Sequence, residues 1–300
     1  MLKTRIIIGI ILILAVVGIL WFDTWLATAK GIAWAPAFFA IVALLVIGGV
    51  HEFCCLMRRH GWQVYESLAL PAALLLLAAA WFHVSGRALD WHVRLLELGP
   101  LGIILTALLV LTLVAETVRV GSGGPLAKSV ENIAGTLLAF LYVGLLMSFF
   151  VAIRFIHELP GVWCLAVFLA VAKLSDMGAY FTGSLLGRHK LCPTLSPNKT
   201  VEGLIGAFVF GIAAALGLGL PLLGLAWWQL VVFGVVVTAL AVLGDLAESL
   251  LKRAAQAKDS STTFPAFGGV LDIIDSILLS APAAYCLFTV FANAKTVAHT

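Results

Sequence analysis

Residues 227–246 read WWQLVVFGVVVTALAVLGDL, an almost unbroken apolar run that begins with Trp227 and Trp228. An α-helix rises about 1.5 Å per residue, so a run of roughly 20 residues crosses the hydrocarbon core of a bilayer, about 30 Å thick. Tryptophan is favoured at the membrane–water interface, where the two ring systems at the start of this run would lie. The stretch therefore predicts a transmembrane helix.

Similar apolar runs occupy much of the remaining chain. They fall at about 6–22, 34–53, 68–84, 98–115, 130–153, 161–181, 201–220 and 276–293. Of the 300 residues, 62% are hydrophobic and only 11% are charged, and the mean hydropathy is +1.12. Soluble domains carry roughly 25% charged residues, so the composition excludes a soluble globular enzyme, a disordered protein and a disulfide scaffold. We expect an all-α, polytopic integral membrane protein with about nine transmembrane helices, the first of them uncleaved.

The basic residues are divided unequally between the two sides that nine alternating spans define. Of the 18 lysines and arginines, Lys173 lies inside a span and most of the others fall on one side of the membrane. The other side receives only Lys30, Arg87, Arg94, Arg154 and Lys295. Positive charge is retained on the cytoplasmic side, so we predict a cytoplasmic N-terminus in the inner (plasma) membrane. Residues 182–200 and 247–275 are then cytoplasmic loops.

The two halves of the chain differ in their polar content. Residues 1–160 are predicted to form an N-terminal transmembrane anchor of about five spans, with polar residues confined to its loops. Residues 161–300 are predicted to form a catalytic transmembrane region of about four spans, because nearly all acidic groups at or inside spans lie there. The net charge of +3 gives no reason to expect a nucleic acid partner.

Carboxylates in this second half occur in pairs with helical spacing. Asp245 and Glu248 are three residues apart and share one helix face, and Asp272 and Asp275 repeat that spacing. Grouped carboxylates repel one another unless a cation lies between them, and such hard oxygen ligands suit Mg²⁺. The sequence therefore predicts a Mg²⁺ site formed by these four residues and leaves a second cation open. The alternative is that they are helix-end carboxylates paired with Lys252, Arg253 or Lys258.

A lysine and two hydroxyls directly precede the seventh span. Ser196, Lys199 and Thr200 lie at what would be the N-terminus of its helix, where free N–H groups and the helix dipole favour a phosphate. The segment is not a Walker loop, because Pro193 and Asn198 occupy positions where that motif needs glycine. An ordinary helix N-cap at Ser196 or Thr200 is the alternative interpretation.

The order of these polar residues resembles one known family. The run Ser249-x2-Lys252-Arg253-x4-Lys258-Asp259-x5-Pro265-x2-Gly268-Gly269-x2-Asp272-x2-Asp275 closely resembles the C-terminal motif of the phosphatidate cytidylyltransferases, or CDP-diacylglycerol synthases. The resemblance covers about residues 170–285 and includes the segments 176–180, 187–191, 196–203 and 244–249. The sequence departs from the family pattern at Asn198, Phe267 and Ile273, where glycine, histidine and arginine are usual.

The resemblance implies a reaction in which CTP and phosphatidic acid give CDP-diacylglycerol and pyrophosphate with Mg²⁺. It implies catalytic roles for Asp245, Asp272, Lys258 and Lys199, with the metal held by Asp245, Glu248, Asp272 and Asp275. The substrate-binding residues it implies are Asp176, Arg188, Ser196, Thr200, Glu202, Lys252, Arg253, Asp259, Gly268 and Gly269. The expected partners are CTP, phosphatidic acid and the bilayer; a homodimer is left open. The site would face the cytoplasm, and the lipid would enter sideways between spans.

Two other functions are compatible with the sequence. A CTP-dependent lipid kinase would need similar groups, because the motif spacing does not show which phosphorus atom is attacked. A cation transporter with intramembrane carboxylates would usually show repeated halves, which this sequence lacks. A CDP-alcohol phosphotransferase is excluded, since its Asp-Gly-x2-Ala-Arg signature is absent.

Overall fold

The computed structural model describes residues 18–32, 34–84, 99–257, 260–261 and 268–297. Apart from one short hairpin, the regular structure in these ranges is helical. The helices are α1 (18–30), α2 (Pro36–Arg59), α3 (Glu66–Val84), α4 (Gly99–Gly121), α5 (Ser129–Ala139), α6 (Leu146–Arg154), α7 (Gly161–Leu186), α8 (Val201–Leu223), α9 (Trp227–Ala254) and α10 (Val270–Val297). A π-helical segment, Phe140–Leu145, joins α5 to α6, and strands β1 (Lys190–Cys192) and β2 (Ser196–Thr200) form the hairpin.

Eight stretches of helix in the described residues are long and apolar enough to cross a membrane. They are Pro36–Arg59, Glu66–His83, Gly99–Gly121, Ser129–Arg154, Gly161–Leu186, Val201–Leu223, Trp227–Ala254 and Val270–Ala294. Each overlaps one of the predicted spans, which confirms the polytopic all-α fold. The first predicted span, 6–22, lies mostly outside the described residues, so the count of nine and the side of the N-terminus stay predictions.

The chain divides into two compact units. The first combines Met1–Val151 with Ala255–Ile273, and the second combines Ala152–Ala254 with Ile274–Thr300. The division into an anchor (1–160) and a catalytic region (161–300) stays a prediction. The structure adds that residues 255–273, which carry much of the C-terminal motif, belong to the same unit as α2–α5.

In the second unit, small residues allow α7, α8 and α9 to pack closely. A Cβ at Gly178 of α7 would lie 2.7 Å from the carbonyl oxygen of Gly206 in α8. A Cβ at Gly234 of α9 would lie 2.9 Å from the Cα of Ile212 in α8. Lipid tails are as apolar as leucine, so membrane helices associate through such close backbone approaches. Gly244 of α9 extends the pattern, since its Cβ would collide with the Asp275 carbonyl of α10.

The loop predicted over 182–200 is partly regular structure. Helix α7 continues to Leu186, and the antiparallel hairpin pairs Lys190 with Thr200 and Cys192 with Ser196. The Thr200 side chain then accepts a hydrogen bond from the Gly203 N–H, 3.1 Å away, and caps α8. The predicted loop 247–275 is also shorter, because α9 remains helical to Ala254 and α10 begins at Val270.

The first unit contains a buried polar network that contradicts one expectation. Glu116 of α4 is only 3% exposed and accepts hydrogen bonds from Tyr65 Oη (2.5 Å), Asn132 Nδ2 (3.1 Å) and Arg119 Nη2 (2.6 Å). Polar residues in 1–160 are therefore not confined to loops. Buried ionised groups in spans persist where several donors satisfy them, and Glu116 meets this condition.

Candidate active site

Three carboxylates converge in the second unit. Asp245 and Glu248 lie one helical turn apart on α9, and Asp275 lies on α10. One oxygen from each lies within 4.8 Å of the others, which is close enough to share a single cation. Glu248 is 1% exposed and Asp275 is 9% exposed. The Asp245 side chain is 36% exposed, which leaves one side of the trio open. Carboxylates gathered largely out of water repel one another, so the geometry fits a bound metal ion.

Two lysines contact this carboxylate trio, which comprises Asp245, Glu248 and Asp275. Lys199 Nζ lies 2.7 Å from Asp245 Oδ2, and Lys252 Nζ lies 2.7 Å from Glu248 Oε2. The second pair has i,i+4 spacing on α9, so the ion pairing offered as an alternative does occur for Glu248. Both lysines are largely covered, with side-chain exposures of 22% and 13%. The site thus places positive charge directly beside the oxygens that can hold a metal.

A further carboxylate and an intramembrane lysine belong to the same unit. Lys173 of α7 donates a hydrogen bond to Ser276 Oγ at 3.0 Å and lies 3.7 Å from Asp176 Oδ2. Asp176 interacts electrostatically with Asp245 and with Asp275. Lys173 was identified from the sequence only as a charge inside a span. An ionisable residue inside a span is a functional candidate in its own right. Its position in the sequence was therefore a signal that Lys173 could belong to the site.

The hairpin positions the predicted phosphate-binding residues at the start of α8. Lys199 is the penultimate residue of β2, and Thr200 is the N-cap, so the predicted N-cap interpretation is confirmed for Thr200. Ser196 pairs with Cys192 at the other end of the strand and is half-buried. The hairpin therefore directs Lys199 into the carboxylate trio while the hydroxyl of Thr200 closes the helix end.

Glu202 of α8 forms hydrogen bonds with the segment that precedes the hairpin. Its carboxylate accepts hydrogen bonds from the backbone N–H groups of Arg188 (3.1 Å) and His189 (3.3 Å), and it pairs with His189 Nδ1 at 2.6 Å. The Arg188 side chain itself is exposed. Arg253, also exposed, donates from Nε to the Leu195 carbonyl at the hairpin turn, 3.4 Å away. These contacts fix the backbone around the hairpin.

A second group of acidic residues lies in the first unit. Asp272 Oδ2 accepts hydrogen bonds from the Gly269 N–H (2.6 Å), the Ser260 N–H (3.2 Å) and the Ser260 hydroxyl (2.7 Å). Gly268 has a φ of +90°, a conformation that glycine adopts without strain. Asp272 is thus tied to the motif around it, and its predicted role as a metal ligand stays a prediction. Lys258 and Asp259 lie outside the described residues.

Sequence reasoning missed Glu52. This residue of α2 is 4% exposed and contacts the same motif: its Oε1 accepts from Ser261 Oγ at 2.6 Å, and its Oε2 accepts from the Leu271 N–H at 2.9 Å. Its position inside the span predicted over 34–53 was itself a signal, since buried ionisable residues in membranes usually have a partner. The partner is more than 200 residues away in sequence, and no local pattern identifies it.

The chain is similar to known proteins along most of its length. A family model described as "Cytidylyltransferase family" matches residues 3–291. The phosphatidate cytidylyltransferase of Mycobacterium tuberculosis (strain ATCC 25618 / H37Rv) is 30% identical over 260 residues, which are 83% of this chain and 74% of that protein. The phosphatidate cytidylyltransferase of Bacillus subtilis (strain 168) is 37% identical over 155 residues, 51% of this chain and 57% of that protein. The latter match thus spans little more than half of the relative.

The fold, the grouped carboxylates and lysines, and these similarities together define a multi-pass membrane nucleotidyltransferase. More particularly, the chain belongs to the cytidylyltransferase family. The donor set of the acidic trio fits a metal centre, because each residue offers a hard carboxylate oxygen.

Proposed function

We propose that this protein is a phosphatidate cytidylyltransferase of the inner membrane that uses the carboxylate trio Asp245, Glu248 and Asp275 to hold Mg²⁺. The family and the names of its relatives support CDP-diacylglycerol synthesis. They do not favour the CTP-dependent lipid kinase or the cation transporter. The single observation that carries the site assignment is the approach of three carboxylate oxygens to within 4.8 Å of one another, beside Lys199 and Lys252.

The reaction joins two anions. A phosphate oxygen of phosphatidic acid forms a bond to the α-phosphorus of CTP, and the bond from that phosphorus to the bridging oxygen of the β-phosphate breaks, releasing pyrophosphate. The phosphate of phosphatidic acid is already ionised at neutral pH, so the nucleophile needs no strong general base. The protein must therefore supply positive charge and positioning.

Bound Mg²⁺ would neutralise charge on the phosphates and orient them for displacement. The chain's own residues supply the rest. Lys199, held at the trio by Asp245, brings a second positive charge to the triphosphate. Lys252 is held in the same way by Glu248. The Thr200 cap and the Glu202 contacts keep the hairpin in place, so that Lys199 does not have to be ordered when CTP binds.

We place the site on the cytoplasmic side, where CTP is found. The excess of lysine and arginine on the side of residues 182–200 supports this orientation. The departures from the family pattern at Asn198, Phe267 and Ile273 leave the trio and both lysines intact, so the protein is expected to be active. A homodimer and a second cation stay open.

The test is turnover by the purified full-length protein in lipid nanodiscs. Phosphatidic acid and Mg²⁺ are supplied with CTP, ATP or GTP in separate reactions, and lipid product and pyrophosphate are measured. We expect CDP-diacylglycerol and pyrophosphate in equal amounts in the reaction with CTP, and neither product in the reactions with ATP or GTP. A lipid kinase would instead release CDP with a phosphorylated lipid, and a transporter would give no lipid product; either result would contradict the proposal.

A further inference from the structure

We propose that Glu52 is a positioning residue that caps helix α10 from another helix and so fixes the C-terminal motif for the reaction. The inference rests on the proposed function, because the motif residues that it orders include Asp272, which is predicted to be catalytic. Glu52 lies in α2, among residues expected to serve only as a membrane anchor.

The residue at the N-cap of α10 has no side chain with which to cap the helix. Helix N-termini leave backbone N–H groups without partners, and a polar side chain at the N-cap usually accepts from one of them. The N-cap position here is Gly269, one residue before Val270, and glycine has no side chain. Asp272 at N3 bonds back to the Gly269 N–H at 2.6 Å, which is half of a capping box. The Leu271 N–H donates instead to Glu52 Oε2 at 2.9 Å.

The space around the N-cap fits this arrangement. A Cβ built at Gly269 would collide with both the Glu52 carboxylate and the Ser260 hydroxyl. Glycine at this position therefore leaves room for a carboxylate from α2 to occupy the place of the absent N-cap side chain. One turn earlier in α2, a Cβ at Gly48 would lie 2.8 Å from the Val270 side chain, so α2 and the start of α10 are in close contact.

Glu52 also holds the residues before α10. Its Oε1 accepts from the Ser261 hydroxyl at 2.6 Å, and its Oε2 lies 3.1 Å from the Ser260 hydroxyl. Ser260 Oγ lies 2.7 Å from Asp272 as well, yet a hydroxyl has only one hydrogen and donates to one carboxylate at a time. Ser260 thus links Glu52 to Asp272, and a change at Glu52 is expected to alter the hydrogen bonding of Asp272.

The experiment compares Glu52→Ala and Glu52→Gln with the matched variant Asp23→Ala. Asp23 is also fully buried and also caps a helix from another helix, because it accepts from the Ala37 and Phe38 N–H groups in the first turn of α2. Its hydrogen bonds within the described part of the chain do not reach the C-terminal motif. Amide hydrogen exchange at Leu271 and Gly269 is measured on the full-length protein without substrates, and kcat is measured with saturating CTP and phosphatidic acid.

We expect Glu52→Ala to raise exchange at Leu271 about fivefold or more, the factor that corresponds to a lost helix cap. We expect it to lower kcat at least about tenfold. Glu52→Gln keeps one acceptor oxygen and should recover part of both losses. Asp23→Ala should raise exchange at Ala37 and Phe38 and leave Leu271 and kcat near wild type.

Equal exchange at Leu271 in Glu52→Ala and wild type would overturn the proposal. So would a fall in kcat matched by Asp23→Ala, because that would indicate general destabilisation. If wild-type protein made no CDP-diacylglycerol, the proposed function would fail, whereas the exchange measurement would still test the cap.

Discussion

The two compact units each contain a group of carboxylates with at least one buried member, and they stabilise these groups in different ways. In the first unit, Glu52 and Asp272 accept hydrogen bonds from backbone N–H groups and serine hydroxyls. In the second unit, Asp245, Glu248 and Asp275 approach one another and contact lysines. Neutral donors fix a carboxylate in one orientation, whereas grouped negative charges favour a cation.

This difference separates two uses of acidic residues within one membrane protein. The first arrangement orders a chain segment, and the second creates a centre that can bind a metal and phosphates. Burial alone would not distinguish them, because Glu52 and Glu248 are both at least 95% covered. The kind of group that contacts each carboxylate distinguishes the two arrangements. Each variant below changes one residue of these groups or of their surroundings.

The largest effect is expected from neutralising the trio. Asp245→Asn or Asp275→Asn should lower turnover by at least about 1,000-fold, because each removes charge from the metal site without removing volume. Initial rates of CDP-diacylglycerol formation across a Mg²⁺ titration measure the loss. The control is Glu66→Gln, which alters a carboxylate paired with Arg58 and His51 in the first unit. Near-normal rates in both trio variants would refute the metal assignment.

Asp272→Asn tests the same comparison in the first unit. The sequence predicts that Asp272 is essential, so turnover should be lost in this variant too. Its signature should differ, however, because the Gly269 N–H and the Ser260 hydroxyl both donate to Oδ2, and a neutral amide oxygen at that place is a weaker acceptor than a carboxylate oxygen. We expect faster amide exchange at Gly269 in Asp272→Asn and unchanged exchange there in Asp245→Asn. The same exchange rates in both variants would contradict the distinction between the two groups.

Gly269→Ala tests the space reserved for Glu52. The added methyl would collide with the Glu52 carboxylate and the Ser260 hydroxyl, so kcat should fall about tenfold or more. Gly217→Ala in α8 is the matched control, since a Cβ there meets nothing within 4 Å. That control should be neutral or slightly stabilising. If both alanine variants behaved alike in kcat and thermal stability, the close approach at Gly269 would have no functional consequence.

Lys199→Gln should have an intermediate effect. Removing the ammonium group beside Asp245 weakens binding of the triphosphate, and the KM for CTP should rise about tenfold. Lys199→Arg keeps the charge and should recover part of the loss. The control is Lys128→Gln, which removes a lysine that donates to the Gly61 carbonyl in the first unit. A KM that does not change in Lys199→Gln would remove this lysine from the CTP site.

Thr200→Ala should give the smallest effect. It deletes the cap of α8 and should cost about 1 kcal/mol of stability, with turnover within about threefold of wild type. Thr200→Ser retains the hydroxyl and should restore the melting temperature. A large loss of turnover with unchanged stability would instead show that the Thr200 hydroxyl acts on the substrate.

Much of the fold could be predicted from sequence because bilayer thickness constrains each span separately. The run at 227–246 is long and apolar enough to indicate a membrane helix without knowledge of its neighbours. The lengths of the polar segments were less predictable. Helix α9 continues to Ala254 because its polar residues form i,i+4 pairs such as Glu248–Lys252, and polarity alone had indicated a loop there.

The site was predictable where its residues are close in sequence. The spacing of Asp245 and Glu248 placed both on one helix face, and the trio confirms that they lie together. The link between Glu52 and Leu271 could not be inferred, because it joins residues 219 positions apart and depends on how α2 packs on the start of α10. Local spacing predicts which residues share a helix face, and it does not identify the helix opposite.

The most direct test of the central claim is the affinity of the protein for Mn²⁺, measured by electron paramagnetic resonance with competition by Mg²⁺ and without substrates. We predict that wild-type protein binds Mn²⁺, that Mg²⁺ displaces it, and that Asp245→Asn and Asp275→Asn each weaken binding by at least about tenfold. Glu116→Gln, which alters a buried carboxylate satisfied by neutral donors and Arg119, should leave the affinity unchanged. Wild-type affinity in both trio variants would contradict the account.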